Sequence, residues 1–171
     1  MTLIVPLPPH NTARLRFVTT EKSTIGKLIR IGGNEGQVSH VEGVLADGSI
    51  VAAHLWEGVR HLAGNYDTTS TLQILVDIPM SAEMYARWRA GLLKHVGYAY
   101  DWKAILGFAF HNKALHDPHA LICSALQLDE LRACGHYARP LAQAYHAIDP
   151  LTLLLMQQAD ARTIIHATER A

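Results

Sequence analysis

A thiol and an imidazole are the groups in this chain whose types could do chemistry together: Cys123 to attack, His40 to take its proton. Residues 121–135 read as one helix with Cys123 in its first turn, because Ile122, Ala125, Leu126, Leu128 and Leu131 recur at helical spacing. Gly135 supplies the stop and Arg132 sits in the last turn. A thiol at a helix N-terminus meets unpaired backbone N–H groups and the positive end of the dipole, and both favour thiolate. The expectation is therefore a Cys123 pKa below the free value of about 8.5 and selective labelling over Cys134, which lies near the helix C-terminus.

His40 sits mid-strand in 37–45, where a sheet can aim its ring at a helix terminus. A catalytic imidazole also needs a partner that fixes its tautomer. If the hairpin loop is Ala46-Asp47-Gly48, Leu45 faces Ser49 and His40 faces His54 directly. Glu42, two residues along on the same strand face, is the alternative partner. His54 is favoured, since neighbours at i and i+2 project roughly parallel; a one-residue slip would turn it away.

The elements that must position these groups follow in chain order. Residues 1–12 form a Pro-rich irregular arm, 15–19 a short strand, and Ser23 or Thr24 caps a short helix to Ile29. A glycine loop spans 32–36. Strands at 37–45 and 49–56 flank the Asp47-Gly48 turn, Gly58-Val59 follows a second break, and 71–78 is another strand closed by Pro79. Ser81 caps a helix ended by Gly97. Residues 98–108 form an aromatic connector and 111–119 a polar loop. A helical piece surrounds 141–146, Asp149-Pro150 opens a last helix, and the tail from Thr163 frays. The sum is a single α+β domain over 1–171, hairpin-rich sheet followed by helices.

Composition sets bounds. The chain has 171 residues, 49% apolar, with 15 basic and 15 acidic residues. That length buries a real core, and zero net charge leaves no electrostatic footprint for nucleic acid. No apolar stretch approaches the ~20 residues of a membrane span. Met1 to Pro6 lack a basic and apolar leader, so no signal peptide and a cytoplasmic location are expected. The two cysteines lie eleven positions apart on one helix, roughly 16 Å, too far for a disulfide. His111, His116 and His119 match no zinc ligand pattern, and no phosphate loop or Gly-x-Ser-x-Gly elbow is present, so neither metal nor cofactor is expected.

Ser39-His40-Val41-Glu42 with Asp47-Gly48 and Gly58-Val59, then Tyr100-Asp101-Trp102, then Ile122-Cys123-Ser124, resembles the circularly permuted branch of the NlpC-type papain-like cysteine hydrolases. In that branch the histidine hairpin precedes the cysteine helix. The likeness runs from about Ser23 to Gly135. It implies a papain-like fold and amide hydrolysis, in cell-wall peptide or an aminoacyl amide, through a Cys123 acyl-enzyme with His40 as base. It implies an oxyanion donor in the Cys123 N–H and a site-lining Tyr100; Glu42 is expected beside Tyr100 as a substrate contact. Relatives that handle acyl esters make an acyltransferase or lipid hydrolase the alternative. A catalytically silent component of a phage particle, with phage-particle partners and a virion location, is the third reading.

Overall fold

The computed structural model describes residues 5–19, 37–66, 70, 72–109, 117, 119–137 and 148–169. The helix expected near 24–29, the loop at 32–36, His111, His116 and the helical piece at 141–146 lie outside them. The described chain is mixed α+β. Its centre is a six-stranded antiparallel sheet of β1 (Thr12–Thr19), β2 (His40–Val44), β3 (Ile50–His54), β4 (Gly58–Leu62), β5 (Leu72–Pro79) and β8 (Ile164–Glu169). The strands run in the order β4-β3-β2-β1-β5-β8. A two-stranded parallel pair, β6 (Ala99–Tyr100) and β7 (Ala120–Leu121), stands beside it. Four helices complete the described fold: α1 (Ala82–Lys94), α2 (Trp102–Ala109), α3 (Cys123–Ala133) and α4 (Pro150–Gln158).

Strand alternation gives the sheet two unlike faces. Leu15, Phe17, Val41, Val51, Ala53, Val76 and Ile78 point to one side and form the core with Trp88 and Leu92 of α1 and Leu126 of α3. The residues between them point to the other. There Arg14 donates two hydrogen bonds to Asp77, at 2.6 and 2.7 Å. Arg16 bonds Gln73 at 2.8 Å and Glu42 at 2.9 Å. All five of these polar residues are buried. Charges at such depth are tolerated because each is paired.

Gly43 sets how closely α3 approaches the sheet. A Cβ there would stand 2.8 Å from both Gln127 Oε1 and Leu92 Cδ1, and 3.2 Å from Trp88. Gln127 in turn donates to the carbonyl of Val51 at 3.0 Å, pinning the helix across β2 and β3. Gly43→Val should therefore cost about 1–3 kcal/mol by overpacking, read as a lower denaturant midpoint at unchanged m-value.

Several local expectations change: His40 opens β2 instead of sitting mid-strand, and β1 starts at Thr12, not at 15. Residues 98–108 are not a plain connector: Asp101 Oδ1 accepts the Ala104 N–H at 2.9 Å and starts α2. Leu121 belongs to β7, so α3 begins at Cys123. The tail does not fray at Thr163: Ile164–Glu169 pairs with β5 from Asp77↔Ile164 to Leu72↔Glu169. The break at Gly58-Val59 opens β4, which pairs with the whole of β3. Other signals are met: Ser81 Oγ accepts the Met84 N–H, Asp149 Oδ1 accepts the Thr152 N–H, and Gly97 and Gly135 take positive φ beyond their helices.

Candidate functional site

The hairpin register comes first, because it decides where His54 points. Leu45 N–H bonds the Ser49 carbonyl at 2.8 Å around a three-residue loop, with Gly48 at φ +81°. β2 and β3 pair directly at Val44↔Ile50 and Gly43↔Val51. Extending that register sets His40 opposite His54, and the two ring centroids lie 5.1 Å apart. Of the two candidate orienters, both are beside His40: its Nε2 stands 3.6 Å from Glu42 Oε1.

Tyr66 completes this group. Its hydroxyl donates to Glu42 Oε1, and its ring meets His54 edge-on at 5.3 Å. Arg16 holds the other carboxylate oxygen. Burial pushes the Glu42 carboxyl above its ordinary range, and the Arg16 guanidinium draws it back. Burial, with the neighbouring His40, pushes His54 down to about 4, so this ring is neutral at pH 7.

Cys123 is the first residue of α3, after Ile122, whose side chain makes no capping bond. The nearby backbone N–H groups of Val41, Ser124 and Cys123 favour its thiolate. Val41 immediately follows His40. In a ladder continued past Gly43↔Val51, the Val41 N–H would face Ala53. Cys123 shares the core cluster with Val41, just beyond the last direct β2–β3 pair. From there the polar face of His40, Glu42 and His54 is one residue away along β2, and the charge of Glu42 registers on the thiol.

The expected low thiol pKa is not what this setting gives. Cys123 is 2% exposed, and burial pushes it up to about 11 against the lowering effect of the three N–H groups. Cys134 is buried and pushed up as well. Selective labelling of Cys123 at neutral pH therefore does not follow from thiolate content.

Tyr100 is brought to the same place by β6–β7 pairing, Tyr100↔Leu121, two residues before Cys123. Burial raises its phenol well above the usual value, and Cys123 adds to that. Beyond it the rings continue outward: Tyr100 to Trp102 at 5.8 Å, Trp102 to Trp56 at 4.4 Å. Trp56 is 79% exposed and holds φ +70°, a conformation that a bulky side chain rarely adopts.

Arg16, Tyr66 and Trp56 were not singled out from the sequence. For Arg16 a signal existed: a charge alternating with Leu15 and Phe17 in a strand marks a second face. Tyr66 and Trp56 carry no such pattern.

Among the described residues no helix is long and apolar enough to cross a membrane. No protein-family model matches the chain, and no curated protein matches it.

Proposed function

We propose that the chain is a cysteine hydrolase of the circularly permuted papain-like type, cleaving an amide bond through Cys123 with His40 as general base. The observation that carries this reading is Cys123 at a helix N-terminus, packed in the same core cluster as Val41, the residue next to His40. His40 Nε2 faces the Glu42 carboxylate, which holds the ring's orientation. Because the thiol rests protonated, His40 acts by removing the proton as the sulfur attacks the carbonyl, and returns it to the leaving amine. Water then hydrolyses the thioester. The substrate class is cell-wall peptide or a smaller aminoacyl amide.

A second reading, an acyltransferase or lipid hydrolase on the same scaffold, draws on the Tyr100, Trp102 and Trp56 rings, which offer an apolar approach. A panel of muropeptides, aminoacyl amides and acyl esters separates the two. His54 acts through His40 as a positioning residue. His54→Ala should lower kcat by on the order of 10²-fold with KM little changed, because orientation of the base matters most in the transition state. A kcat equal to wild type would pass the role to Glu42.

A further inference from the structure

His40, Glu42 and His54 each offer one ligand atom, and these atoms lie within 4.8 Å of one another. They come from adjacent strands, two from β2 and one from β3, so the sheet itself fixes their spacing. Tetrahedral zinc with bonds of about 2.0–2.1 Å needs its ligand atoms roughly 3.3 Å apart. His40 Nε2 and Glu42 Oε1, at 3.6 Å, are nearly there. His54 Nε2 is a buried nitrogen with no hydrogen-bond partner among the described residues, which is costly in an apolar setting without a ligand.

We propose that these three residues form a binding site for a zinc-class divalent cation, which silences the hydrolase by taking His40. Two histidines and one carboxylate are a known three-ligand set for zinc that leaves a fourth position open. The surroundings supply the outer contacts that such sites use to orient their ligands. Tyr66 donates to the same carboxylate oxygen that faces His40, and a carboxylate oxygen has lone pairs for both a hydroxyl and a metal. Arg16, itself held by Gln73, anchors the other oxygen and keeps Glu42 aimed at the histidines. The positive charge of Arg16 tempers the affinity, which suits a reversible inhibitor better than a permanent structural ion. Occupied by metal, His40 has no lone pair for the thiol proton, so the two states exclude each other. The inhibitory half of this proposal rests on the hydrolase reading; the binding half does not.

The test measures Zn²⁺ binding to the full chain by competition with a chromophoric chelator, for wild type, Cys123→Ala, His54→Ala and Tyr66→Phe. Thermal melts confirm that each variant is folded. Wild type and Cys123→Ala should each bind one equivalent with the same affinity. His54→Ala should bind about 100-fold more weakly or worse, and Tyr66→Phe about 10-fold more weakly, as expected for a direct ligand and an outer contact. Co²⁺ in the site should give tetrahedral d–d bands without thiolate-to-cobalt charge transfer. Undiminished binding by His54→Ala, loss of binding in Cys123→Ala, or no stoichiometric binding by wild type would overturn the site. One-equivalent binding without hydrolysis of any substrate in the panel would retain the site and remove the hydrolase reading alone.

Discussion

Cys123→Ala should abolish turnover, by on the order of 10⁴-fold or more, because removing the nucleophile of a covalent mechanism leaves only binding and electrostatics. The fold should survive, since the lost sulfur is small. The same substitution should change the alkaline limb of stability. The folded thiol titrates at about 11, pushed up by burial, and an unfolded cysteine near 8.5. Between those values the unfolded chain alone releases its proton, so wild-type stability falls as pH rises through that window. A gap of about 2.5 pKa units corresponds to roughly 3 kcal/mol, and Cys123→Ala should be spared most of that loss. Alkylation of Cys123 in the folded chain should likewise accelerate with pH toward about 11 rather than level off near 7.

Glu42→Ala should be the most destabilising single change at the site. It removes the carboxylate paired with the buried Arg16 guanidinium, whose Nε is bonded to Gln73. Removing one partner of a buried pair costs about 3–5 kcal/mol, equivalent to roughly 6–20 °C in melting temperature for a chain of this size. Arg16→Met combined with Glu42→Leu should recover most of the loss, because no unpaired charge is then left inside. If the double variant melts no higher than Glu42→Ala, the pair is not what makes the single change costly. Activity separates stability from chemistry here: the double variant should fold yet hydrolyse poorly, since His40 has lost the carboxylate facing its Nε2.

Local signals in the sequence carried much of this arrangement. Asp47-Gly48 marked the turn but left its length open; with the three-residue loop observed, the opposition of His40 and His54 follows by counting. Ser81, Asp149, Gly97 and Gly135 mark helix ends by chemistry that acts over a single turn. What depended on distant parts of the chain was not legible. The pairing of β8 with β5 joins residues some ninety positions apart, and nothing in residues 164–169 names its partner. The thiol is the clearest case. Helix-terminal position alone argues for thiolate, but the amount of burial around Cys123 depends on β2, β6 and α3 together, and burial is the larger effect. The cross-strand group of His40, Glu42 and His54 has no regular sequence spacing, whereas the spaced histidines near 111–119 drew attention by theirs.

The central claim is that Cys123 attacks a carbonyl. It is tested most directly by incubating the full chain with an aminoacyl amide or acyl ester, quenching in acid, and mapping the mass of every cysteine peptide. The account predicts an acyl adduct on the Cys123 peptide of the wild-type chain that forms far more slowly in His40→Ala, where the protonated thiol has lost its base, and that never forms in Cys123→Ala. An adduct found equally on Cys134, or turnover with Cys123 replaced by Ala, would contradict it.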